Sequence, residues 1–248
     1  MTMLSLPEVT EKMLEIVNAQ NALNEKINKD WIKLAQTGEW DYQMAAVMEL
    51  AEFNKSVWVP WWSKMEIDWD NGRIEIVDAL HFMVSVAIAD AHTDDIESTL
   101  LNVAGEIAQA CLDADDEPEV IEAVDVLDHA KMCMSYVLEE GSSTYERFSS
   151  LFDVCSAMHF KFEHLYGLYI GKSELNAFRQ DKGYKAGTYK KIWHTANGVD
   201  RDDNHYMRLY IERMEEGVTR DMIRSFLENT YIAVQDGSMK DATQFALK

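Results

Sequence analysis

Two short acidic motifs carry the clearest chemistry in this chain: Glu49-Leu50-Ala51-Glu52 and Glu75-Ile76-Val77-Asp78. Each spaces two carboxylates at i and i+3, which share a face if the segment is helical. Two such helices side by side bring Glu49, Glu52, Glu75 and Asp78 to one point. Carboxylates gathered there repel one another, and a divalent cation relieves the repulsion. An all-oxygen donor set suits Mg2+, with Mn2+ as the alternative, better than zinc. Acid pairs at this spacing also occur on solvated helix faces, so the surroundings matter. Glu49 is the only charge in the run Met44–Ala51, and Asp78 lies within the apolar-rich stretch Ile76–Val84. Acids among apolar residues are costly unless paired or metal-bound.

A second constellation is basic. Residues 171–193 hold Lys172, Arg179, Lys182, Lys185, Lys190 and Lys191 against Glu174 and Asp181, in a chain of net charge −21. Lys172, Asn176 and Arg179 fall on one helical stripe. Gly183 and Gly187 flank a loop bearing Tyr184, a segment able to close over a ligand as lids do. Arg grips phosphate with a planar fork and Lys adds a point charge; a solvated basic face is the plainer alternative. Gln20 and Asn24, spaced i and i+4, present amides that can face a ligand or simply water. Trp58, Trp61 and Trp62 are costly to leave in water, so they either seal a bundle or wall a planar base. His81 fits two roles, a group steadying a metal ligand or a core histidine.

The scaffold for these residues reads as all-α. The chain has 248 residues, 47% of them hydrophobic, with only 11 Gly and 3 Pro; such sparse punctuation favours long helices. Helical periodicity predicts helices over 7–36, 41–56, 72–91, 93–112, 117–139, 144–170, 200–216 and 219–234. Asp70-Asn71-Gly72 reads as a turn, and Asp113–Pro118 as a solvated acidic loop without a calcium-loop pattern. The expectation is a helical bundle with a four-helix metal-binding core, as one domain over 1–248, with 93–140 as a candidate mobile or accessory helical part.

Composition excludes several partners. No apolar run of about 18 residues is present, so no membrane span is expected, and the N-terminus carries no secretory pattern. The strong negative charge disfavours nucleic acid and anionic membranes. Cys111, Cys133 and Cys155 match no metal or redox spacing; they are expected as buried free thiols in a reducing, cytoplasmic compartment.

Three blocks of the chain resemble the dimeric, all-α dUTPase family of trypanosomatids, some bacteria and bacteriophages. Gln20-x-x-Leu23-Asn24 is similar to the family's nucleoside-contacting segment. Glu49-x-x-Glu52 and Glu75-x-x-Asp78, followed by Leu80-His81-Phe82, look like its metal motifs, which a wider group of all-α nucleoside triphosphate pyrophosphatases shares. The third block is the most specific: Lys172-x-x-Leu175-Asn176-x-x-Arg179-Gln180-Asp181-x-Gly183-Tyr184-x-x-Gly187-x-Tyr189-x-Lys191-x-Trp193, then Asp203-Asn204. The resemblance implies Mg2+-dependent hydrolysis of dUTP, and of dUDP, to dUMP at a di-metal site in a homodimer. In that frame Glu49, Glu52, Glu75 and Asp78 hold the metal, with Glu49 or Glu52 as the base. Lys172, Arg179 and Lys191 hold the phosphates, Asn176 and Tyr184 orient the substrate, and Gln20, Asn24 and Trp61 surround the nucleoside. A dCTP or other deoxynucleotide pyrophosphatase of the same fold is the alternative within the class. A non-enzymatic acidic helical interaction protein is the alternative outside it. A di-iron carboxylate protein would need Glu-x-x-His motifs, which neither acid pair supplies.

Overall fold

A computed structural model describes residues 4–114, 118–194, 200–214 and 218–238. Among them are ten helices: α1 (Leu6–Ile27), α2 (Trp31–Gln36), α3 (Tyr42–Val57), α4 (Trp69–Ala91), α5 (Ile96–Leu112), α6 (Ala123–Leu138), α7 (Thr144–Ala157), α8 (Phe162–Asp181), α9 (Asp203–Arg213) and α10 (Arg220–Gln235). The only described strands are β1 (Ile192–Trp193) and β2 (Arg201–Asp202), an antiparallel pair in which Ile192 faces Asp202. The fold is all-α, as the periodicity predicts. The chain divides into two compact units, Met1–Tyr166 and Gly167–Lys248, with α8 beginning in the first and continuing into the second.

In the first unit, α4 is the central element. Residues on every side of it are buried, Ile74, Ile76, Val77, Ala79, Leu80, Met83, Val84 and Ile88 among them, as befits a core helix rather than a surface one. It packs against α3 most extensively and against α1, α2, α5 and α7 as well. The α3–α4 approach is close because Gly72 lies in it. A Cβ at that position would stand 3.1 Å from Val57 Cγ1 and 3.3 Å from Phe53 Cε2. Asp-Asn-Gly is therefore not a turn here. Asp68 caps α4 by accepting from the Asn71 amide at 2.9 Å, and Asn71 and Gly72 are already helical. Within 93–140 the structure places two helices: α5 packs on α1 and α7, and α6 on α7 and α3.

Two predicted helices are each broken. The first stops at Asn28, whose extended backbone ends α1 and whose Oδ1 accepts from the Asp30 amide at 2.9 Å, a local bond that competes with helix continuation. The predicted 144–170 helix divides at His159, a non-glycine residue at φ 53°. There the Phe160 amide turns back to the Cys155 carbonyl at 2.8 Å and the His159 ring meets the Pro118 carbonyl at 2.7 Å. The helix predicted over 117–139 begins only at Ala123, since residues 118–122 are not helical. Residue 117 of that prediction, residues 215–216 of the one over 200–216, and 115–117 of the acidic loop lie outside the described residues.

In the second unit, Trp193, Tyr206, Phe178, Tyr189 and Tyr231 form an aromatic core. Trp193 stacks on Tyr206 at 14° with ring centres 5.5 Å apart, and Tyr189 on Tyr231 at 18° and 5.1 Å. Gly171 admits α9, since a Cβ there would lie 2.2 Å from Ile211 Cδ1. Asp202 caps α9, accepting from the His205 amide at 2.9 Å. Among the described residues no helix is long and apolar enough to cross a membrane.

Candidate active site

Helices α3 and α4 place Glu49, Glu52 and Glu75 so that one oxygen from each lies within 4.8 Å of the others. Glu49 and Glu75 are half-buried and Glu52 is exposed. Three carboxylates converging from two helices form an all-oxygen donor set, the kind that suits Mg2+ or Mn2+. Asp78 is half-buried one turn beyond Glu75 on α4 and is not part of this group. Asn71 steadies the arrangement. Its Nδ2 donates to Glu75 Oε1 at 2.9 Å and to Ser56 Oγ, near the end of α3, at 2.8 Å. The turn-like composition around Asn71 conceals this bridge in the sequence.

Further along the same helix, Gln20 and Asn24 of α1 face Ser85 and His81 of α4. All four are buried. Gln20 Nε2 donates to Asn24 Oδ1 and to Ser85 Oγ, both at 3.0 Å. Asn24 Nδ2 donates to Ser85 Oγ at 2.9 Å, and His81 Nδ1 meets Gln20 Oε1 at 2.6 Å. The α1 amides are thus held in an internal polar cluster rather than spread on a wet face. Ser85, which no motif in the sequence singles out, is its hub.

The Trp-rich segment behaves differently from the expectation that its rings pack away from water. Trp61 is 88% exposed and Trp62 65%. The rings contact one another edge to face, Trp61 on Trp62 with centres 4.2 Å apart and Trp58 on Trp62 at 5.7 Å. Pro60 and the extended backbone after α3 keep this stretch outside the helices.

In the second unit the basic block is arranged around Asp203. Arg179 donates from Nε and Nη2 to Asp203, and from Nη1 to Asn176 Oδ1 at 2.9 Å. Tyr189 adds a hydroxyl to Asp203 Oδ2 at 2.7 Å. Burial, and next the Asp203 carboxylate, push the Tyr189 phenol well above its ordinary range, so it stays a donor. Lys172 is buried and donates from Nζ to Asn204 Oδ1 at 2.9 Å. Lys172, Asn176 and Arg179 are therefore brought together, with their polar ends turned toward Asp203 and Asn204. Tyr184 and Lys191 lie exposed in the loop that follows. Gly183 and Gly187, at φ 91° and 70°, make that loop's turns, a backbone region costly for other residues.

A search of curated proteins found no match. A family model described as dUTPase matches residues 12–184, a span that includes the α1 amides, both acid motifs and the basic block as far as Tyr184. That match sets aside the reading of the chain as a non-enzymatic acidic adaptor. With the matched span well over half of the chain and the described residues mostly helical, the chain belongs to the all-α dUTPase family, the dUTP diphosphatases.

Proposed function

We propose that dUTP hydrolysis by this protein is Mg2+-dependent, yields dUMP and pyrophosphate, and extends to dUDP. The observation that supports this most directly is the convergence of Glu49, Glu52 and Glu75 oxygens within 4.8 Å. In this reading these three residues, with Asp78 as a fourth donor, hold the cations of a di-metal site. Bound there, Mg2+ neutralises charge on phosphate oxygens and makes a coordinated water more acidic.

The chain's own groups do the rest. Glu49 accepts the proton of the attacking water; it is less exposed than Glu52, and a carboxylate with less competing solvation is the better base. Asn71 keeps Glu75 aimed by holding its Oε1. Lys172, Arg179 and Lys191 hold phosphate oxygens, Asn176 and Tyr184 orient the substrate by hydrogen bonds, and Gln20, Asn24 and Trp61 serve the nucleoside. The homodimer implied by the family is part of the same proposal and is checked by sedimentation.

The test is pyrophosphate or phosphate release from dUTP, dUDP, dCTP, dTTP and dATP, with Mg2+ and with chelator. Release from dUTP is expected to be fastest and to vanish on chelation. Undiminished turnover in chelator would overturn the metal assignment. A preference for dCTP would replace the base assignment and leave the phosphate chemistry standing.

A further inference from the structure

The buried cluster between α1 and α4 has a fixed direction, which follows from counting hydrogens. Ser85 Oγ lies 3.0 Å from the His81 carbonyl and donates its only hydrogen there. It can then only accept from its other partners. Both amides must turn their nitrogens to it, and they do: Gln20 Nε2 at 3.0 Å and Asn24 Nδ2 at 2.9 Å. The Gln20 oxygen consequently points to His81. An amide oxygen carries no hydrogen, so His81 Nδ1 is the donor across the 2.6 Å contact and the ring's tautomer is set. The second Nε2 hydrogen of Gln20 goes to Asn24 Oδ1 at 3.0 Å.

Asn24 therefore cannot turn over at low cost. A flip would set its nitrogen against the Gln20 nitrogen and its oxygen against the lone pairs of Ser85. Each would be a buried polar group left without its partner, which carries its full desolvation penalty. Uracil and cytosine differ in the quantity such a lock controls. Uracil presents an N3 donor beside the O4 acceptor, and cytosine an N3 acceptor beside the N4 donor. A side-chain amide free to flip pairs with either edge, whereas one held in a single orientation pairs with only one.

We propose that Ser85 and His81 are specificity-determining positioning residues, which lock the Gln20 and Asn24 amides and thereby set the preference for uracil over cytosine. The inference rests on the proposed placement of those two amides beside the nucleoside. Nothing in it requires Ser85 or His81 to touch the substrate.

The experiment compares kcat/KM for dUTP and for dCTP in the full-length protein and in Ser85→Ala, His81→Phe, His81→Asn and Asn24→Ala. Ser85→Ala and His81→Phe are expected to lower the dUTP/dCTP ratio by about tenfold or more, since Ser85 fixes which way both amides turn and His81 supplies the donor that satisfies the Gln20 oxygen in that orientation. His81→Asn keeps a donor close to the Nδ1 position and is expected to retain the ratio. A merely structural role would lower both substrates alike and leave the ratio unmoved. An unchanged ratio in Asn24→Ala would sink the placement of the amides and this inference with it. If Asn24→Ala collapses the ratio while His81→Phe and Ser85→Ala leave it within about twofold of the parent, only the lock is overturned. Should Ser85→Ala fail to fold, the contrast between His81→Phe and His81→Asn decides the same point.

Discussion

Arg179 and Asp203 form a forked ion pair, with Nε to Oδ2 at 2.8 Å and Nη2 to Oδ1 at 2.6 Å, and the Asp203 side chain is wholly shielded from solvent. A fork of two parallel charge-assisted bonds fixes geometry as well as sign. Tyr189 contributes a third bond to the same carboxylate. The loss of one partner leaves a buried charge uncompensated, which is why such a pair is costly to break even when its net contribution to stability is small. Arg179→Ala and Asp203→Ala are each expected to destabilise the protein by about 3–5 kcal/mol. The double variant is expected to cost clearly less than the sum, because the residues share one interaction. Urea unfolding of the four proteins in this cycle measures it, and additive losses would mean that the pair is not coupled.

The acid group makes a prediction separable from activity. Glu52 is exposed, so Glu52→Gln should leave the fold intact while removing a metal-binding charge. Mg2+ at about a hundred times its Kd is expected to stabilise the parent protein by roughly 2.7 kcal/mol, since it binds the folded state alone. In Glu52→Gln that increment should shrink sharply, and Mg2+-dependent turnover should be lost with it. Thermal melts with and without Mg2+ read the first effect. A variant that kept both the increment and the turnover would remove Glu52 from the site.

Much of this arrangement is legible in the sequence, and the exceptions have physical causes. The i, i+3 acid pairs stand out because Glu49 is the only charge in its run, and a lone charge in an apolar helix face needs a partner. The basic stripe of Lys172, Asn176 and Arg179 stands out against a chain of net charge −21. The contacts that pair distant residues do not stand out. Ser85 meets Gln20 across 65 positions, and nothing local in either segment announces it. Asp203 is legible as a helix-start acid but not as the counter-ion of Arg179. Asn71 and Gly72 mislead because Asp-Asn-Gly is turn composition, while here a cap two residues upstream starts the helix and the glycine admits α3. His159 misleads in the opposite sense: the chain turns at a residue that is neither Gly nor Pro, and only the returning Phe160 amide reveals why.

Two glycines offer a contrast on helices of the same unit. At Gly72 an added methyl would press on Val57 and Phe53 at 3.1 and 3.3 Å. Gly72→Ala is expected to cost about 1–3 kcal/mol by overpacking. It should also lower turnover, because any widening between α3 and α4 separates Glu49 and Glu52 from Glu75. At Gly105 of α5 nothing lies within 4 Å of the added carbon, so Gly105→Ala is expected to stabilise by about 0.5–1 kcal/mol through helix propensity alone. Denaturant midpoints and initial rates for both variants test the pair. A stabilised, fully active Gly72→Ala would show that the α3–α4 approach has room to spare.

The cysteines predict how stability responds to alkali. Cys133 and Cys155 are buried and Cys111 is half-buried, all as free thiols, and Cys111 and Cys155 line one largely apolar cavity of about 400 Å³. Burial pushes the Cys111 and Cys133 thiols up from 9.0 to about 12, drives Cys155 upward as well, and pushes the Tyr42 phenol from 10.0 to about 12. These groups are neutral in the folded state and lose protons more readily once unfolded. Their contribution is therefore intact below about pH 9 and is lost progressively as pH rises from there toward 12. Two results are expected. The urea midpoint should fall between neutral pH and about pH 10.5, with the fall reduced in Cys133→Ala once its own baseline is subtracted. At pH 8 burial keeps the Cys133 thiol protonated in the folded protein and shields it from reagent, so alkylation by iodoacetamide should be slow until urea unfolds the chain. Rapid labelling of all three cysteines in the native protein would contradict the burial that gives rise to both effects.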